Sequence, residues 1–107
     1  MTIWSVLVEA PLNDSRLPKA MRDPGAAEVL LLEVMEHLGI RDGVAGGGLD
    51  DRLAVRFSLE GYDLVDVGAH ARELFLTAAD KAGLPLIPDT LEIVPLEALI
   101  RANILSG

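Results

Sequence analysis

The chain has 107 residues, half of them apolar, with a net charge of −8 and no cysteine. This length predicts a single domain spanning residues 1–107, which can bury roughly 65% of its unfolded surface without metal or disulfide support. The missing cysteines exclude disulfides, thiolate metal sites and cysteine nucleophiles, and they favour a reducing compartment, so we expect a cytoplasmic protein. The negative charge argues against direct binding to nucleic-acid phosphates.

Two patterns that would direct the chain to a membrane are missing from the sequence. The first residues, MTIWSVLVEA, do not form a basic segment followed by an apolar one, so we expect no signal peptide. No apolar run approaches the roughly 20 residues that a membrane helix needs, so we expect no membrane partner.

The first predicted element is a strand over Thr2–Glu9. It has apolar residues on both faces, which are Trp4, Val6 and Val8 on one side and Ile3 and Leu7 on the other. This pattern is typical of a central strand or of a sheet whose second face is covered by a partner. Residues 10–25 follow as an irregular insertion, because three prolines interrupt any regular pattern.

A helix is predicted to begin at Asp23-Pro24, with the aspartate as cap and the proline in the first turn, and to end at Gly39. Its apolar stripe leaves Val29 and Leu32 outside, on the side that also carries glutamates. These two residues either form a contact surface or are ordinary scattered surface residues.

The segment Arg52–Gly83 has the clearest pattern in the chain. Leu53, Val55, Phe57 and Leu59 alternate with Ala54, Arg56, Ser58 and Glu60, which predicts a strand. After Gly61 the period changes to 3.6, and the apolar stripe through Val67 and Phe75 predicts a helix that ends at Gly83. A strand followed by an amphipathic helix is typical of a helix lying on a sheet.

The remaining elements are a weak edge strand within Gly43–Leu49, a strand over Thr90–Val94 and a tail helix at about 95–105. Two right-handed strand–helix–strand crossovers then predict an α+β protein of the ferredoxin-like split β-α-β type. We expect an antiparallel sheet with two helices on one face, plus the C-terminal helix.

Three stretches carry a resemblance to a known group of proteins: RLAVRFSLEG, ARELFLTAADKAGLP and LEIVPLEAL. Together they resemble small uncharacterised ferredoxin-like proteins of actinobacteria and their phages, over about Leu53 to Leu99. The resemblance rests on patterning and implies the fold, but no activity, cofactor or site residue.

The sheet face without helices would have a mixed surface with an apolar middle. It would carry Ile3, Ser5, Leu7, Ala54, Arg56, Ser58, Glu60, Glu92 and Val94. Such a face is closed by a second copy, by an extra element or by a ligand, and a twofold homodimer is the commonest solution. We therefore expect a non-enzymatic interaction or assembly module that binds itself or another protein, as a homodimer either through this sheet face or through the Val29–Leu32 side of the first helix. The expected interface residues are Ile3, Leu7, Val29, Leu32 and Val94.

Two alternatives remain open at this point. One is a small enzyme or ligand-binding protein of the dimeric α+β barrel type, with a pocket near Trp4, Arg56 and His70. The other is an acidic inhibitor or nucleic-acid mimic. Neither His37 nor His70 has a carboxylate or second histidine at metal-ligand or triad spacing, so we expect no catalytic residue, metal or cofactor.

Overall fold

The structure is a computed structural model that describes residues 1–45, 51–98 and 100. It contains a four-stranded antiparallel sheet, two α-helices and a short 3-10 helix. In chain order the elements are β1 (Thr2–Pro11), the 3-10 helix (Lys19–Arg22), α1 (Pro24–His37), β2 (Arg41–Ala45), β3 (Arg52–Gly61), α2 (Leu64–Lys81) and β4 (Thr90–Pro95). This α+β architecture is compatible with the predicted β-α-β-β-α-β arrangement.

The sheet has the strand order β2-β3-β1-β4, so β1 and β3 are central. Val6 lies opposite Phe57 and Val8 opposite Val55, and these four side chains belong to the buried core. Both helices pack on this face, through residues that include Leu31, Met35, Ala71 and Phe75. The strand alternation and the helix stripes therefore meet in one core.

Both helices begin where a short carboxylate can accept a free backbone N–H. The Asp23 side chain accepts from the Ala26 N–H, and the Asp63 side chain accepts from the Asp66 N–H. Gly39 and Gly83 follow the helix ends with φ of 80° and 72°. A residue with a side chain is strained in this left-handed conformation, so glycine suits these helix ends.

The segment predicted as an irregular insertion over residues 10–25 packs closely on the domain. Leu12 and Leu17 are buried, and Met21 packs against the core. The first two residues of the segment belong to β1, and the Leu12 N–H donates to the Asp51 carbonyl at 2.6 Å. On its surface, the Arg16 guanidinium lowers the pKa of Asp14 to about 2.

Several strand boundaries differ from the sequence prediction. β1 continues two residues further, to Pro11, β2 begins at Arg41 rather than at Gly43, and β4 continues one residue further, to Pro95. Of the predicted tail helix at about 95–105, residues 96–98 and 100 are helical, and its other residues from 99 onward lie outside the described residues. The end predicted for β2, 46–49, also lies outside them. Within the described part of the chain, no helix is long and apolar enough to cross a membrane.

Candidate functional site

The sheet face opposite the two helices, here called the open face, carries the residues predicted for it. Strand register aligns Ser58, Ser5 and Val94 in one row across three strands, and Arg56, Leu7 and Glu92 in the next. Arg41 and Val44 of β2 lie opposite Ser58 and Arg56 and extend both rows to the sheet edge. The open face is therefore a continuous surface of four strands.

The middle of the open face is closely packed and its margin is exposed. Leu7 and Ser5 are buried, whereas Ile3 and Val94 are 45% and 38% exposed. The Arg56 guanidinium donates a hydrogen bond to the Ser5 hydroxyl at 3.1 Å, so the arginine side chain lies across the face toward that residue. Of the three predicted interface residues on this face, Ile3 and Val94 thus remain accessible.

A cluster of charged side chains closes one end of the open face. The Arg52 guanidinium donates to both carboxylate oxygens of Asp89, at 2.6 and 3.0 Å, and lies 3.6 Å from the Glu9 carboxylate. Hydrogen bonding to Arg52 lowers the pKa of Asp89 below its usual value. The same contact raises the pKa of Arg52, so the Arg52–Asp89 pair is charged at neutral pH.

Trp4, Arg56 and His70 were predicted around one pocket, but the structure places them apart. Trp4 lies on the core face of β1, where its indole N–H donates to the Gly61 carbonyl at 3.1 Å. Arg56 lies on the open face of the same sheet, and His70 lies exposed on α2. Trp4 and Arg56 therefore lie on opposite faces of the sheet and cannot line the same pocket.

His70 instead lines a groove of about 450 Å³ at the outer edge of β3. Apolar and polar residues both line the groove, and they are Ile3, Leu38, Gly39, Ile40, Arg41, Asp42, Ser58, Leu59, Glu60, His70 and Leu74. It forms because the described pairing of β2 starts at Arg41 opposite Ser58, which leaves the last three residues of β3 without a neighbour on that side.

Val29 and Leu32 have different surroundings on α1. Val29 is 64% exposed, whereas Leu32 is half-buried and packs against the core. A Cβ atom added to Gly43 of β2 would lie 3.2 Å from a Leu32 methyl group, so Leu32 contacts the edge strand. Leu32 therefore belongs partly to the α1–β2 contact, and Val29 is the more accessible of the two.

Glu28 has a structural role that the sequence reasoning missed. It is only 7% exposed, and one carboxylate oxygen accepts the Ala54 backbone N–H at 3.2 Å. Ala54 pairs with Glu9 of β1 and lies one residue beyond the last described β2–β3 pair, so no described residue of β2 pairs with it. Glu28 precedes the buried residues Leu31 and Met35 by three and seven positions, and this helical spacing is the signal that could have identified it.

We expect Glu28→Ala to lower the free energy of unfolding by roughly 1–3 kcal/mol, because the buried Ala54 N–H loses the one acceptor that the described residues give it. Glu28→Gln keeps an acceptor oxygen at the same place and is the matched control. Urea unfolding of both variants measures the difference. A Glu28→Gln loss as large as that of Glu28→Ala would show that the hydrogen bond is not what stabilises this site.

The described residues contain no group of three or more histidines or carboxylates that could hold a metal ion. Comparison with known proteins finds no significant match to this chain among protein-family models, curated proteins or solved structures. The resemblance to small ferredoxin-like proteins therefore stays an expectation, and the function is argued from the geometry above.

Proposed function

We propose that this protein is a non-enzymatic association module that forms a homodimer through its open face. The observation that supports this most directly is the exposure of Ile3 and Val94 on a sheet face where neither α1 nor α2 packs. Covering accessible apolar residues of a sheet face with a second surface removes them from water, which stabilises the complex.

The charges of the open face favour a second copy as the partner. Its strands carry three arginines and three glutamates, whose charges cancel. These residues are Arg41, Arg52, Arg56, Glu9, Glu60 and Glu92. The nearby Asp89 adds one negative charge that Arg52 pairs directly. Because the whole chain has a net charge of −8, two copies repel each other least through a surface that is close to neutral.

The size of the face indicates a weak dimer. Four strands spaced about 4.8 Å apart and at most ten residues long define a surface of roughly 600 Å². Stable interfaces bury about 800 Å² on each partner, so we expect a dissociation constant in the micromolar range.

Sedimentation and light scattering over a range of concentrations test this proposal. We expect Ile3→Lys/Val94→Lys to raise the dimer dissociation constant at least tenfold, because it places charges in the contact. Val29→Lys/Ile87→Lys adds the same charge at exposed positions outside the open face and should change the constant less than twofold. A monomer at high micromolar concentration would overturn the homodimer, and a stronger effect of the control pair would move the interface to the helix side.

We also propose that the fold is the ferredoxin-like split β-α-β arrangement. The element order and the sheet order β2-β3-β1-β4 support this, since two crossovers then place the first and third strands in the centre. Helical residues 96–98 and 100 add an element beyond this core, next to Ile3.

A ligand-binding role for the groove beside His70 is the second candidate. Its volume and its mixture of apolar and polar side chains are typical of small-molecule sites. In that role His70, Arg41 and Glu60 would contact the ligand, in place of the predicted set with Trp4 and Arg56. The acidic-mimic alternative has less support, because arginines are interleaved with glutamates on the open face.

A further inference from the structure

Exposed apolar side chains concentrate at one corner of the molecule. Met1, Tyr62, Leu64 and Val65, here called the apolar corner, are 72%, 79%, 52% and 79% exposed. Thr2 pairs with Gly61, so Met1 and Tyr62 are each the next residue beyond this pair, at the same end of the sheet. Only three other large apolar residues of the described chain are more than half exposed, namely Val29, Val44 and Ile87. The corner therefore differs from an ordinary surface with single scattered apolar residues.

The fold itself does not require apolar residues at this corner. The N-terminus of α2 is formed by the Asp63 cap, and the helix packs on the sheet through Val67, Ala71 and Phe75. Leu64 and Val65 occupy solvent-facing positions in the first turn, where acidic side chains interact better with the helix dipole. Apolar residues that oppose the local preference without contributing to the core are typical of a binding surface.

Negative charges border the apolar corner. Glu60, Asp63 and Asp66 are all exposed, and the ion pairs among described residues involve Arg16 with Asp14 and Arg52 with Glu9 and Asp89. The three carboxylates thus have no cationic partner within the described part of the chain. The Asp63 carboxyl group, by hydrogen bonding and by its charge, raises the pKa of Asp66. A cation placed here would relieve this repulsion.

We propose that the apolar corner, bordered by Glu60, Asp63 and Asp66, docks a basic amphipathic segment of another protein. Apolar side chains of that segment would cover Tyr62 and Val65, and its lysines or arginines would neutralise the border. A second copy is disfavoured here, because a twofold contact brings the same carboxylates together. An anionic membrane surface repels the same charges. The site shares Glu60 with the open face, but its four apolar residues lie outside the strands of that face, and the proposal does not depend on dimer formation.

Trp4 provides a reporter for this binding. It is the only tryptophan of the chain, and its indole N–H donates to the carbonyl of Gly61, the residue before Tyr62. The probe is a tryptophan-free helical peptide with leucines on one face and lysines on the other. We expect its titration to change Trp4 emission in a saturable way, and a peptide with glutamates in place of the lysines to bind at least tenfold more weakly.

Two matched pairs of variants locate the site. We expect Tyr62→Ser/Val65→Ser and Glu60→Gln/Asp66→Asn each to weaken peptide binding at least tenfold, while the Asp63 cap is preserved. The controls are Val29→Ser/Ile87→Ser and Glu33→Gln/Glu36→Gln, which remove the same kinds of group from other surfaces and should change binding less than twofold.

Three outcomes would overturn the proposal. Equal weakening by the Glu33→Gln/Glu36→Gln control would show general attraction to an acidic chain. Loss of the dimer in Tyr62→Ser/Val65→Ser would make a second copy the occupant. Binding to phosphatidylcholine vesicles that depends on Tyr62 and Val65, with no binding of the lysine peptide, would make the occupant a lipid surface.

Discussion

Replacing Phe57 with alanine is expected to lower the free energy of unfolding by roughly 3–5 kcal/mol. Phe57 is 1% exposed and lies opposite Val6 in the centre of the sheet, where both helices cover it. Removing the ring leaves a cavity that this packed core cannot close. Since small domains have a total stability of about 5–15 kcal/mol, the variant loses a large fraction of it.

Urea unfolding followed by circular dichroism measures this loss. Ile87→Ala removes a large apolar side chain that is 65% exposed, and it should change stability by less than about 0.5 kcal/mol. A loss below 1 kcal/mol for Phe57→Ala would mean that the core and open faces of the sheet are interchanged.

Gly61→Ala is expected to destabilise the protein by roughly 1–3 kcal/mol, because the added methyl group overpacks a tight contact. A Cβ atom at Gly61 would lie 2.3 Å from a methyl carbon of Val67. Val67 is 2% exposed and belongs to the core, so it cannot turn away into solvent. The Trp4 indole, which donates to the Gly61 carbonyl, would lie 3.9 Å from the new Cβ atom, an ordinary contact, so the overlap is with Val67.

Thermal unfolding of a double-mutant cycle tests this contact. We expect Val67→Ala to cost less in the Gly61→Ala background than alone, since the smaller side chain makes room for the new methyl group. Gly68→Ala is the matched control, because its Cβ would meet only ordinary contacts at 3.4 and 3.9 Å and should gain up to about 1 kcal/mol in helix propensity. Equal effects of Gly61→Ala and Gly68→Ala would contradict the close approach.

The elements with a strong local period were predictable from the sequence. The alternation of apolar residues through Phe57 predicts which face of β3 is buried, and the apolar stripe through Phe75 predicts which face of α2 is buried. The structure confirms both, because Phe57 and Phe75 lie in the same core. The start of β2 was not predictable. Asp42 and Gly43 give no side-chain pattern, and the strand is defined by backbone pairing with β3, which includes an irregular register between Arg41 and Val44.

The candidate site was predictable only in part, for a related reason. Strand parity correctly assigned Ile3 and Leu7 to one face and Trp4 to the other, yet a single pocket with Trp4 and Arg56 would have to include both faces. Glu28 was missed because a carboxylate in an apolar stripe is usually assigned to solvent. Only the structure shows that the backbone N–H of Ala54 in β3 donates to this carboxylate.

The edge strands β2 and β4 determine whether strands of another molecule can pair with this sheet. The described part of β2 is five residues long, with an irregular register and a left-handed Asp42, and β4 is six residues long and ends in Pro95, which has no N–H to donate. Short, irregular or proline-containing edge strands are poor templates for fibril formation and for strand exchange between molecules. The described edges of the sheet therefore disfavour the addition of strands from another molecule.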